Sequence, residues 1–271
     1  MNALITVFGW LVTAAMIIAS IALHEWAHIF AIRFMGGQVE NPKFFPLGMI
    51  AKARRLETLH SWERYVIYAA GPAANFAVAI WSFTVSEISY VGVPWLDELA
   101  FYNFALGFFN LTPALPMDGG RITWQFIGNR IGILRTNRFI TRLGIAISYA
   151  FIVLGFVQVI LFPFNITLLC AGMFLRHRNK NLAPELTAAF YRAQDGKNSE
   201  NRARTLPVKE IPLPRDTKIK HALERIAGDY FITFLIDGKK ERLLREQTLI
   251  NYVFKHGITG TVEEITSTYT A

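Results

Sequence analysis

The sequence predicts an α-helical polytopic membrane protein of about five transmembrane helices, with the chemistry-bearing motif in the first, followed by a small α/β domain. Two observations carry this. Residues 1–175 hold 11 Lys/Arg and 8 Asp/Glu, whereas the shorter stretch 176–271 holds 17 and 12. Four uncharged runs, Asn2–Leu23, Tyr65–Ser86, Leu99–Met117 and Leu143–Leu175, reach or approach the ~20 residues that a helix needs to cross ~30 Å of hydrocarbon. A chain that is 52% hydrophobic with mean hydropathy +0.30 is not a disordered one, and a single cysteine, Cys170, rules out a disulfide scaffold.

The first run carries no Lys or Arg ahead of it and continues through polar residues to Ile32, so it reads as a retained helix rather than a cleaved signal. The fourth has 33 residues with Pro163 near its middle. It is expected to be two helices joined by a turn at Phe162–Asn165. Loop charge agrees: Arg33–Arg64 carries six basic residues, Glu87–Glu98 none, Arg121–Arg142 five, and Arg176, Arg178 and Lys180 follow the last apolar stretch. Alternation of basic and non-basic loops places the basic ones and the C-terminal region in the cytoplasm, with the N-terminus outside. The net charge of +8 is thereby accounted for as topology signals and a solvated domain face. No nucleic-acid partner is expected; the lipid bilayer is.

The ionisable residues inside the spans are His24, Glu25, His28 and Asp118. Such groups are costly in lipid and mark functional sites. No Lys or Arg inside a span balances the two acids, but a divalent metal would. His24-Glu25-Trp26-Ala27-His28 is H-E-x-x-H in a helical stretch. Residues four apart differ by only about 40° around the axis, so both imidazoles point to one place. Glu25, about 100° from His24, is free to face a metal-bound water. The bland alternative is a pair of buried histidines bonded to backbone carbonyls.

The third ligand is expected to be Asp118, within Asn110-Leu-Thr-Pro113-Ala-Leu-Pro116-Met-Asp118-Gly119-Gly120, where prolines and paired glycines break the helix. Irregular backbone at membrane depth is tolerated where protein or a water-filled cavity surrounds it. The competing reading of Asp118 is a helix cap outside the membrane. His60, in a charged loop, reads as a surface histidine.

H-E-x-x-H, then Gly71-Pro72 with Asn75, then the Asn110–Gly120 segment, in this order, resemble the site-2 protease family of intramembrane metalloproteases over roughly residues 20–125. The resemblance implies one Zn²⁺ held by His24, His28 and Asp118, with Glu25 as catalytic residue. Asn75 and Asn110 fall on the family's motif asparagines, and Asn110 is the candidate for an oxyanion hydrogen bond. Three protein ligands leave zinc an open position for water, as in catalytic sites. Gly36-Gly37 ends the motif helix, and Phe44–Ile50 is either a segment dipping into the membrane or a loop on its surface.

The organisation expected is a protease domain over 1–180, a linker over 181–206 and a small domain over 207–271. In the last, Val208–Ile211, Phe231–Ile236 and Leu243-Leu244 read as strands, Asp237-Gly238 as a turn, and Lys218–Ala227 and Thr248–His256 as helices. This β-α-β-β-α order resembles a single CBS domain. That resemblance implies pairing of tails in a homo-oligomer and an adenine nucleotide as candidate ligand.

A protease region joined to such a tail, with no PDZ-like segment, is similar to the stage IV sporulation protein FB group, which is usually drawn with one more span ahead of its motif helix. The likeness implies a membrane-associated substrate, the pro-sequence of a sporulation sigma factor, together with inhibitory membrane proteins, in the mother-cell membrane around the forespore. An anti-sigma factor or a signal-peptide remnant is the alternative substrate. From another class, a zinc transporter or sensor would need a relay of ionisable groups through the membrane, and this chain has one cluster. A pseudoenzyme scaffold fits poorly with an intact set of His24, Glu25, His28 and Asp118.

Overall fold

The computed structural model describes residues 2–269 apart from 40–42, 46–47, 51–52, 55–58, 60, 90–92, 163–164, 181, 183–207, 227–229 and 239–241. His60, Pro163 and nearly all of the expected linker lie outside the described residues. The rest forms two compact units, Met1–Ile122 and Thr123–Ala271.

The first unit is built on α1 (Asn2–Phe34), α2 (Ser61–Ile88) and α3 (Pro94–Asn110). Between α1 and α2 lie two short antiparallel pairs, β1 (Gln38–Val39) with β4 (Ala53–Arg54) and β2 (Lys43–Phe45) with β3 (Gly48–Ile50). Within the Phe44–Ile50 segment, Phe44-Phe45 thus pairs antiparallel with Gly48-Met49. Helix α1 ends where Gly36 adopts φ +78°, with Gly37 N–H closing on the Ile32 carbonyl. Pro72 sits inside α2 without ending it. Large apolar side chains face outward (Trp10 is 75% exposed, Phe108 68%), while Ser20, His24, Asn75, Asn103 and Asp118 are buried. Polar groups inside and apolar groups outside are the distribution that lipid demands.

Helix α4 (Asp118–Ile131) follows a non-helical turn at 111–117, where the expected third apolar run ends. In the second unit, α5 (Ile133–Leu161) and α6 (Thr167–Lys180) pack as a hairpin. Glycine makes their approach close: a Cβ at Gly155 would lie 2.5 Å from Leu169 N, and one at Gly172 2.8 Å from Ile152. Three of the helices, over Val7–Phe34, Trp62–Ile88 and Ile133–Leu161, are long and apolar enough to cross a membrane. Helices α3, with 17 residues, and α6, with 14, fall short of that length.

The tail has β5 (Val208–Leu213), α7 (Ile219–Leu223), β6 (Phe231–Ile236), β7 (Leu243–Arg245), α8 (Glu246–His256) and α9 (Val262–Tyr269). Its sheet order is β5-β6-β7, with β5 parallel and β7 antiparallel to β6. Alternation in β6 sends Ile232, Phe234 and Ile236 into the core, and Asp237-Gly238 turn with positive φ, as read from the sequence. Helix α7 is shorter than the expected 218–227, and α9 was not anticipated.

The tail is not free of the helices in its own unit. Ile133 at the start of α5 belongs to the tail's apolar core, with Trp124 and Leu134 packed against it. Ile133 N–H donates to the Ile226 carbonyl (3.1 Å), and Tyr230 Oη donates to the Asn129 carbonyl (3.3 Å). Gly132 takes φ +88°, and a Cβ there would overlap the Glu224 carbonyl oxygen. The buried Glu224 carboxylate accepts from Arg135 Nε (3.0 Å) and from Arg138.

Burial pushes the Glu224 carboxyl up, but its two arginine bonds outweigh this and hold it below the ordinary 4.5 of a glutamate. The ion pair therefore contributes in full above the unfolded value and is lost as pH falls through the lower folded one. Both arginines are about half exposed, so the contribution is on the order of 1 kcal/mol after solvent screening. Protection of the 219–226 amides, taken as the intrinsic exchange rate at each pH divided by the observed one, should fall as pH drops below about 4.5 in wild type. In Glu224→Gln that protection should already be low at pH 6 and change less with acid.

Candidate metal centre

Helix α1 carries His24 and His28 one turn apart, and their Nε2 atoms lie 3.2 Å from each other. Asp118 reaches them from the first position of α4, with Oδ2 at 3.1 Å from His24 Nε2 and 3.0 Å from His28 Nε2. Ninety residues of sequence separate these groups, and the turn at 111–117 closes the distance. The paired glycines are a steric condition of that turn. A Cβ at Gly119 would overlap the Leu111 carbonyl, and one at Gly120 would lie 2.5 Å from Leu115 N. Helix α4 could not start against the turn with any larger residue at either position.

Each imidazole is held from behind. His28 Nδ1 donates to the Ile67 carbonyl on α2 (2.7 Å), and His24 Nδ1 donates to Asn75 Oδ1, also on α2 (2.5 Å). With both Nδ1 positions protonated, both Nε2 atoms turn lone pairs toward the carboxylate oxygen. Three lone-pair donors at 3.0–3.2 Å repel one another unless a cation lies among them. Their spacing is close to the ~3.3 Å edge of a tetrahedron with metal–ligand distances of ~2.0–2.1 Å, the geometry of zinc. Among the described residues, these three form the one group of histidine, cysteine or acidic side chains whose ligand atoms converge in this way. Residues and spacing fit a zinc ion. Arg121, about half exposed, approaches the other carboxylate oxygen, Oδ1, at 3.8 Å and stands over the Tyr68 ring.

Helix α2 crosses the centre at Gly71. A Cβ there would overlap His28 Nε2 and lie 2.6 Å from His24 Nε2. The Gly-Pro pair noted in the sequence is thus where α2 comes against the Nε2 atoms of His24 and His28, and only a residue without a side chain leaves them room.

The structure brings His24, His28 and Asp118 together and places Asn75 behind His24. Glu25, adjacent in sequence but outside the ligand triangle, is partly buried. Asn110 ends α3, and its Nδ2 donates to the Leu106 carbonyl of its own helix (2.9 Å), which leaves its oxygen and second N–H for other partners. Two buried polar residues escaped the sequence reading: Asn103 on α3, bonded to Asn75, and Ser20 on α1, bonded to Asn103. The signal was present, since both are polar residues in apolar runs and Ser20 lies one turn before His24.

The profile of peptidase family M50 matches residues 12–100 and 93–155, rather more than half of the chain. The zinc metalloprotease MJ0392 of Methanocaldococcus jannaschii is 29% identical over 169 residues, covering 61% of this chain and 48% of that protein. Stage IV sporulation protein FB of Bacillus subtilis is 21% identical over 118 residues, 44% of this chain and 41% of that one. The matches thus span less than half the length of either relative. Among solved structures, the site-2 protease from Methanocaldococcus jannaschii superposes with TM-score 0.51 and 28% identity, over 63% of this chain and 77% of that one.

Proposed function

The chain belongs to peptidase family M50, and from that premise we propose that it is an intramembrane zinc metalloendopeptidase. The observation that carries the reading is the buried triangle of His24, His28 and Asp118 with a glutamate beside it on α1. A zinc held there supplies Lewis acidity toward a water molecule and a peptide carbonyl. Glu25, which does not ligate, takes the proton of the attacking water and returns it to the leaving amide nitrogen. Asn75 and Ile67 keep the imidazoles in the tautomer that ligates, and the outward apolar faces of α1 and α2 shield the centre. Asn110 supplies an oxyanion hydrogen bond once substrate draws its amide toward the site.

The substrate proposed is a membrane-associated regulatory protein, the pro-sequence of a sporulation sigma factor before an anti-sigma factor or a signal-peptide remnant. The likeness to a stage IV sporulation protein supports it. Regulation by inhibitory membrane proteins belongs to the same reading. The proposed topology has five crossings, α3 and α6 being the two shorter ones, with residues 1–180 in the membrane and the tail in the cytoplasm of a bacterial cell. The parallel β5–β6 pair, the antiparallel β7 and the helices α7, α8 and α9 support a CBS-like tail, which would pair with a second copy and take an adenine nucleotide.

Co-expression with a candidate pro-sigma factor tests the substrate. A shortened product is expected with wild type and none with Glu25→Gln, read by immunoblot. A product with both chains, or with neither, refutes the assignment of that substrate to this enzyme.

A further inference from the structure

Behind the metal centre lies a chain of buried polar side chains with a direction to it. Ser20 on α1, Asn75 on α2 and Asn103 on α3 are 4%, 0% and 0% exposed. Polar groups this deep in an apolar bundle are costly unless their hydrogen bonds are met. Ser20 Oγ donates to the Met16 carbonyl (2.8 Å), so toward Asn103 it is an acceptor, and Asn103 Nδ2 donates to it (2.9 Å). The second Nδ2 hydrogen of Asn103 goes to the Leu99 carbonyl (2.9 Å). Both donors of Asn103 are therefore spent on one side, and its Oδ1 faces Asn75 and accepts from Asn75 Nδ2 (2.8 Å). The other Asn75 hydrogen points to the Ser20 carbonyl (3.3 Å). Only Oδ1 of Asn75 remains, and it meets His24 Nδ1.

Three backbone carbonyls, those of Met16, Leu99 and Ser20, accept and never donate; together they anchor this sequence of bonds, and every amide orientation follows. Were the Asn75 amide to turn over, its NH₂ would face Nδ1 and favour the tautomer with hydrogen on Nε2. That tautomer has no lone pair on Nε2, the atom that faces His28 and Asp118. We infer that Asn103 and Ser20 are positioning residues of the metal centre: through Asn75 they fix the tautomer of His24 that can ligate. The inference rests on the zinc reading above and adds two residues to it.

The test uses the full chain, purified in detergent and stripped of metal. Zinc affinity is measured by competition with a chelating indicator, the coordination sphere by Co²⁺ absorption, and stability by melting with and without zinc. Loss of an outer partner of a metal-bound histidine typically weakens binding 10–100-fold. Asn103→Leu, similar in volume and without donors, should raise the zinc Kd by about that factor, shift the Co²⁺ bands and shrink the zinc-induced rise in Tm. Ser20→Ala should weaken binding in the same direction, and Ser20→Thr, which keeps the hydroxyl, should restore it.

A folded Asn103→Leu chain with wild-type zinc Kd and wild-type Co²⁺ spectrum would overturn the inference. If that variant does not fold, equal affinities for Ser20→Ala and Ser20→Thr would overturn it instead. A wild-type chain that binds no zinc is a different result: it refutes the metal reading itself and the inference with it.

Discussion

Glu25→Gln is expected to leave zinc bound and to lower cleavage by about 10²–10⁴-fold, the usual worth of a positioned acid–base group. The change is nearly isosteric and removes only the ability to carry a proton. The converging group of His24, His28 and Asp118, the proposed ligands, does not include Glu25, so metal content, measured on the purified chain, should match wild type. A metal-free Glu25→Gln protein would contradict the non-ligand role assigned here. Wild-type turnover would remove Glu25 from the chemistry altogether.

Gly71→Ala is expected to have an effect as large, by a different route. In an ordinary helix interior this exchange stabilises by about 1 kcal/mol, and Gly71 lies within α2. Here the added methyl would occupy space held by both Nε2 atoms. The imidazoles are the far ends of side chains, so the fold can yield by turning them aside, but the Nε2 positions are what a metal needs. A displacement of about 1 Å in a reacting assembly costs on the order of 10²-fold. The Gly71→Ala chain should therefore stay folded, bind zinc more weakly than wild type and lose at least about 100-fold in cleavage. Unaltered zinc affinity would mean that the histidines do not need the space over Gly71.

How much of this was legible in the sequence depended on whether the signal was local. H-E-x-x-H is a statement about one helix, and the geometry of any α-helix converts it into two converging imidazoles. Asp118 was found because prolines and glycines advertise a break in an apolar run. Strand β6 follows from a short run of β-branched and aromatic residues, Phe231–Ile236, and the turn after it from Asp237-Gly238, a residue pair that tolerates positive φ. What stayed hidden is tertiary. Nothing in the neighbourhood of Asn103 says that α3 brings it to Asn75, and attention to ionisable groups alone passes over an amide and a hydroxyl. Gly71 was visible as a motif glycine, but the atoms it makes room for belong to another helix. The turn at 111–117 shortened the third apolar run into a 17-residue helix, because Pro113 and Pro116 act on the backbone before hydropathy does.

The seating of Ile133 in the tail's core has an evolutionary and practical consequence. A tail that completes its interior with a residue from the beginning of α5, and that closes over Gly132, is not a cassette to be swapped between proteases at a linker. Recombination that exchanged residues 208–269 alone would leave an apolar hole in the incoming domain and strand Trp124 and Leu134 against foreign partners. Tails should therefore be inherited together with the 124–138 corner, and chimaeras that move both pieces as a unit should express where those that move the tail alone aggregate.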